Sequence, residues 1–191
     1  MVHILIASVL AYLVGAIPTG YLVARFVAGV DIRQQGSGNT GASNVARVVG
    51  KKYFILVFFI DAVKAFSFLR GAHFLLGDGA SYYLAAALLV GNSFSVFLQF
   101  TGGKGVATTF GLLCYFLPWL QSVVFAALWL AVLALSKQPF LASFISMSAI
   151  TGFNWYLIGL QKPLYFLFFL CSWMVFRHTS NILSYFYHKH S

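Results

Sequence analysis

The chain contains no glutamate, and its only acids are Asp31, Asp61 and Asp78. So few carboxylates exclude a two-carboxylate acid–base mechanism and a carboxylate-held magnesium site. Cysteine is equally scarce. Cys114 and Cys171 cannot build a disulfide framework or a cysteine-rich zinc site, and both fall in apolar runs where cysteine acts as a small hydrophobe. No Ser–His–Asp set can be assembled, because the only acid expected on the same side as His178 is Asp31. Charge as a whole is low. Lys, Arg, Asp and Glu make up 8% of residues, against about 25% in soluble domains. A soluble fold of this composition would expose apolar patches and aggregate.

Hydrophobes fill the space left by charge. They account for 61% of 191 residues, with 21 Phe among them, and the mean hydropathy is +0.88. A membrane-spanning helix needs roughly 20 mostly apolar residues. That ruler predicts spans near 3–26, 53–73, 81–100, 105–118, 119–136, 140–160 and 164–186. The expected fold is therefore an all-α membrane protein, a bundle of about seven transmembrane helices forming one domain over 1–191. The first span lacks a basic leader and a small-residue cleavage site, so it reads as an uncleaved helix.

Basic residues set the orientation. Arg25, Arg33, Arg47, Lys51, Lys52, Lys104, Lys137, Arg177 and Lys189 fall on one side of the predicted spans. Lys162 and Arg70 fall on the other, and Lys64 lies within a span. Because positive residues mark cytoplasmic loops, the N-terminus is expected outside and the C-terminus inside. The net charge of +9 then reflects topology and anionic headgroups. Nucleic-acid binding would require a basic, aromatic soluble face, which this sequence does not offer.

Three polar segments lie on that cytoplasmic side. They are "QQGSGNTGASNVAR" (34–47), "TGGKGVAT" (101–108) and "RHTSNI" (177–182). Gly36, Gly38 and Gly41 spell a dinucleotide-binding turn, and Asp61 stands where a ribose-binding acid is sought. The context fails, because a membrane helix precedes the loop where that turn requires a strand. "GGKG" fails as a phosphate-binding P-loop, since Leu98 and Gly105 occupy its first and last positions. A more general chemistry survives. Glycines let backbone N–H groups curl into an anion-binding nest, to which Ser37, Asn39, Thr40, Ser43 and Asn44 add polar groups.

Arg47 supplies a bidentate fork and Lys104, amid Gly102, Gly103 and Gly105, a point charge. The run to Thr108 opens a helix whose N-terminus favours anions. Turn formation and the positive-inside rule would account for the glycines and bases separately, but not for their combination with so many hydroxyls and amides. His178 and Asn181 share one helix flank and read either as part of the site or as a capped interfacial helix end. Asp61 and Lys64, also one turn apart within a span, read as a structural ion pair or as a proton path.

Taken together, "GSGNTGASNV", "GGKGVAT" and "RHTSNI" resemble the signatures of the PlsY family, the acyl-phosphate:glycerol-3-phosphate acyltransferases of bacterial membranes. The resemblance implies transfer of a fatty acyl group from acyl-phosphate to glycerol 3-phosphate, giving lysophosphatidic acid and phosphate, an early step in phospholipid synthesis. By motif, Ser37, Arg47, Lys104, His178 and Asn181 carry the catalysis. Gly36, Gly38, Asn39, Gly41, Asn44, Gly102, Gly103, Gly105 and Thr108 contact phosphate or substrate. The mixed anhydride is already activated, so neither a metal nor a cofactor is expected. The implied setting is the cell membrane, with the site facing the cytoplasm and the acyl-phosphate-producing enzyme as a candidate partner.

Asn92 and Ser95 stand where the family usually has His and Pro, Ser43 where it has Thr, and Ser184 where it often has Arg. A transporter for a phosphorylated small molecule is the main rival reading, with Asp61 and Lys64 lining its path. A non-catalytic relative acting in assembly is a third, carried by these departures alone.

Overall fold

The computed structural model describes residues 2–187, which are mostly helical with no β-strand among them. The chain divides into two compact units, Met1–Tyr115 and Phe116–Ser191. Lys189, placed on the cytoplasmic side above, lies outside the described residues.

The first unit begins with α1 (Val2–Ala16) and α2 (Thr19–Ala28), one expected span broken in two. The break falls at Pro18, which has no N–H to donate and whose ring displaces the preceding turn. A left-handed Gly29 ends α2, its N–H returning to the Arg25 carbonyl. A 3-10 turn (Ile32–Gln34), the short α3 (Ala42–Val48) and α4 (Lys52–Leu76) follow. Then come a 3-10 turn at Asp78–Ala80, α5 (Ser81–Ser93), another at Val96–Leu98, and α6 (Val106–Phe116).

Small residues let these helices approach closely, as membrane interfaces require. Gly15 of α1 lies against the Leu88 backbone, and Gly91 of α5 against the Tyr12 carbonyl, so a Cβ at either glycine would overlap the facing chain. Tyr12 adds a hydrogen bond of 2.7 Å from its hydroxyl to the Phe94 carbonyl. A separate apolar cluster of Ala24, Ile32, Val45 and Val57 anchors the segment after α2 against α3 and α4. Ile32 is fully buried, worth about 2–3 kcal/mol by apolar burial.

The second unit holds α7 (Trp119–Ser136), α8 (Pro139–Ile158) and α9 (Lys162–Tyr187). Polar side chains tie α7 to α8: Trp129 Nε1 donates to Ser143 Oγ at 3.0 Å and Asn154 Nδ2 to Gln121 Oε1 at 2.9 Å. On α9 the buried stripe runs Leu164, Leu167, Leu170, Met174 and His178, the spacing of one helix face.

Every predicted span thus contains helix. The stretch Val2–Ala28, α7 and α8 are each long and apolar enough to cross a bilayer by themselves. One boundary needs correction. The segment expected as a span over 81–100 stops being helical at Ser93, and Val96–Leu98 forms a 3-10 turn inside a closed loop. Its apolar residues hid this ending, because hydropathy does not separate a helix from an apolar loop.

Candidate active site

Asp31 opens the first loop. Its carboxylate accepts the Arg33 N–H at 3.0 Å and pairs with the Arg33 guanidinium, Nη2 to Oδ2 being 2.6 Å. These bonds to Arg33 hold the Asp31 carboxyl below its ordinary value, against the opposing effect of desolvation. The Arg33 guanidinium also lies over the Tyr21 ring, 5.3 Å from its centroid.

The loop then wraps around one buried side chain. Asn44 Oδ1 accepts the Ser37 N–H at 2.9 Å, while Nδ2 donates to the carbonyls of Gln35 and Asn39 at 2.9 Å and of Ile32 at 3.3 Å. Gly36 has a positive φ of 59° and faces Asn44 Oδ1, so a side chain there would be both strained and obstructed. Asn44 is therefore engaged in shaping the loop. Ser37 and Arg47 are exposed, and among the described residues neither the Ser37 hydroxyl nor the Arg47 guanidinium has a hydrogen bond.

The second loop is shaped by backbone. Ser95 and Thr101 form an isolated antiparallel bridge, closed by Phe100 N–H to the Ser95 carbonyl at 2.8 Å. Gly103 N–H donates to the Asn92 carbonyl at 2.9 Å. Gly102 sits so close to Asn92 and Ser93 that a Cβ would overlap their backbone atoms. Lys104 emerges from this turn, half-buried, and α6 begins two residues later. Thr108 and Thr109 in its first turn are fully buried, and their hydroxyls have no hydrogen-bond partner among the described residues.

The two loops meet. Asn39 Nδ2 donates to the Gly102 carbonyl at 3.3 Å, while Asn39 Oδ1 accepts the Gly41 N–H at 2.8 Å. Two sequence-distant segments, one bringing Arg47 and the other Lys104, are joined in one unit. With their backbone N–H groups and hydroxyls, they have the inventory of an anion-binding surface. Sequence reasoning proposed both loops and expected them to converge, but not the particular bond that joins them, for which an asparagine at 39 is no distinctive signal.

The remaining motif lies on α9, in the second unit. His178 is buried, its Nδ1 2.9 Å from the Met174 carbonyl. The Asn181 carbonyl accepts from Ser184 Oγ at 3.0 Å, so the serine in the place of an arginine bonds back to its own helix. The other departures also have visible contacts. Ser95 Oγ donates to the Ala16 carbonyl at 2.6 Å, and Asn92 Oδ1 lies opposite Gly103. Among the described residues, no group of three His, Cys or Asp is arranged to hold a metal ion.

Residues 5–187 match the family model described as glycerol-3-phosphate acyltransferase. A glycerol-3-phosphate acyltransferase of Desulforudis audaxviator is 40% identical, the alignment covering 91% of this chain and 87% of that one. One from Rippkaea orientalis is 38% identical, over 91% and 85% of the two chains. Among solved structures, the crystal structure of PlsY (YgiH), an integral membrane glycerol 3-phosphate acyltransferase, matches in its glycerol 3-phosphate form. The TM-score is 0.87 at 31% identity, over 97% of this chain and 93% of that one. Its lysophosphatidic acid form gives a TM-score of 0.85.

Proposed function

The chain belongs to the glycerol-3-phosphate acyltransferase family, and we propose that it transfers a fatty acyl group from acyl-phosphate to glycerol 3-phosphate, forming lysophosphatidic acid and phosphate. It is an integral membrane acyltransferase. The whole chain, 1–191, serves as one multi-pass domain of the cell membrane with its N-terminus outside and its site facing the cytoplasm.

The observation that carries this reading is the Asn39–Gly102 contact, which joins the two glycine-rich basic loops. Both substrates bring phosphate, and the donor's acyl chain suits an apolar protein. In the step, the glycerol 3-phosphate hydroxyl oxygen bonds to the acyl carbonyl carbon and the bond from that carbon to the phosphate oxygen breaks. Inorganic phosphate leaves with the electron pair, and a substrate phosphate oxygen takes the hydroxyl proton. Arg47 and Lys104 neutralise charge gathering on the leaving group. Ser37, Gly36, Gly38, Gly41, Gly102, Gly103, Gly105 and the Thr108 hydroxyl orient the donor. His178 and Asn181 position the acceptor, and Asn39 and Asn44 serve the site by shaping and joining its loops.

The transport alternative relied on Asp61 and Lys64 lining a solute path. Both are committed elsewhere: Lys64 Nζ lies 2.7 Å from Asp61 Oδ1 and donates to the Ile17 carbonyl at 2.9 Å. The test is direct measurement of lysophosphatidic acid from purified protein supplied with acyl-phosphate and glycerol 3-phosphate. Lys104→Ala and Arg47→Ala are each expected to lower turnover by about 10²–10³-fold, the usual loss when one stabilising group is removed. Near-normal turnover in both would discard these roles. Accumulation of glycerol 3-phosphate in vesicles with no lipid product would favour transport.

A further inference from the structure

The kink at Pro18 leaves polar backbone exposed in a segment that crosses the membrane. Such groups must find partners within the protein. Lys64 supplies them. Its ammonium has three donors, and three acceptors surround it: Asp61 Oδ1 at 2.7 Å, the Ile17 carbonyl at 2.9 Å and the Gly15 carbonyl at 3.1 Å. The carbonyl between those two, at Ala16, accepts from Ser95 Oγ at 2.6 Å. On the far side of the kink, Thr19 Oγ1 donates to Asp61 Oδ1 at 2.7 Å. The cation thus sits at the C-terminal end of α1 and the carboxylate at the N-terminal end of α2, each matched to the local helix dipole.

The kink also belongs to a closed circuit. Gly20, next to Thr19, packs directly on the Thr40 carbonyl of the first loop. Asn39, beside Thr40, bonds to Gly102 in the second loop. Ser95 returns from the base of that loop to the end of α1. Each loop therefore depends on the angle between α1 and α2, and the Asp61–Lys64 pair fixes that angle.

We propose that Asp61 and Lys64 are positioning residues for acyl transfer, locking the Pro18 kink so that the loops carrying Arg47 and Lys104 meet in register. Neither need touch substrate, and saturation of the ammonium leaves it no donor for phosphate. The kinetic consequence rests on the acyl-transfer reading, whereas the geometric one does not.

Both are measurable. Nitroxide labels at Gln34 and Phe97, exposed positions on the first and second loops, would report the inter-loop distance after Cys114 and Cys171 are replaced. The expected result is a narrow distance distribution that broadens in Lys64→Met, broadens less in Thr19→Val and narrows again in Lys64→Arg. In unlabelled protein, kcat per folded molecule falls about a hundredfold in Lys64→Met, the scale of a small misplacement of reacting groups. KM for glycerol 3-phosphate changes far less, and Lys64→Arg recovers about tenfold by returning a cation to the carbonyls.

Leu69→Ala, a buried change elsewhere on α4, should lower the melting temperature while leaving the distance distribution and kcat unchanged. An unaltered distribution in folded Lys64→Met overturns the proposal whatever the enzyme does. If that variant does not fold, an unaltered distribution in Thr19→Val overturns it equally. An inactive wild type would instead refute the acyl-transfer reading and leave the distance result standing.

Discussion

The two glycine-rich loops of the first unit look alike in composition and are built in opposite ways. In the loop before α3, a side chain is the scaffold: Asn44 gathers the backbone of Ile32, Gln35, Ser37 and Asn39 around one carboxamide. In the loop before α6, the backbone is the scaffold. It closes on itself between Ser95 and Thr101 and presses Gly102 against the end of α5. The contrast separates two uses of polar and small residues. Asn44 resembles a ligand-binding group in the sequence but is consumed by structure, whereas Gly102 resembles a flexible turn but is needed for close packing.

Removing the first scaffold should have the larger effect. Asn44→Ala takes away every bond to that carboxamide and leaves partly buried carbonyls and an N–H without partners, a cost of about 3 kcal/mol. Asn44→Asp sharpens the point, because it keeps the acceptor for Ser37 while turning a carboxylate towards three carbonyl oxygens. It should melt at least as early as Asn44→Ala in detergent. A variant Asp that melts like wild type would show that the Nδ2 bonds contribute nothing.

The second scaffold is tested by neighbouring glycines. A Cβ at Gly102 meets backbone atoms of Asn92 and Ser93, which move only if α5 moves, whereas at Gly103 its nearest neighbour is the Asn92 side-chain oxygen at 3.0 Å. Gly102→Ala should cost about 2 kcal/mol, in the range of overpacking, and Gly103→Ala well under half of that. Thermal melts of the two variants decide it. Equal losses would mean that the loop tolerates a side chain facing α5.

How much of this could be read from the chain alone follows from what each feature depends on. The helices were legible because long apolar runs leave little alternative in a membrane. The three motifs were legible because Gly, Ser, Asn and Lys stand out against Leu and Phe. The Pro18 break had a visible residue but no visible consequence, since the partners that stabilise it lie on α4 and beyond α5. The end of α5 was concealed by Val96, Phe97 and Leu98, which are apolar yet fold as a turn. The pairing of Asp61 with Lys64 was suggested by their spacing. That Lys64 also holds two carbonyls of α1 needed three-dimensional proximity, as did the scaffolding role of Asn44.

The smallest effect concerns the entrance to the first loop. Asp31→Asn keeps an oxygen to accept the Arg33 N–H but removes the charge facing the guanidinium, so it isolates the ion pair from the turn. Both side chains are partly exposed, at 31% for Arg33 and 19% for Asp31, and the pair is therefore worth about 0.5 kcal/mol. The Arg33 hydrogen bonds lower the folded-state pKa of Asp31 beneath its ordinary 3.8. The unfolded chain consequently takes up a proton first as pH falls. The pair's contribution is fully present above that ordinary value and is lost as pH drops through the lower folded one. Melting curves should show wild type slightly above Asp31→Asn at neutral pH, with a constant gap down to about pH 5 that closes in stronger acid and shrinks with added salt. A gap that widens on acidification would reverse the sign of the linkage and mean that the first loop draws nothing from this pair, leaving Asn44 as its principal polar support.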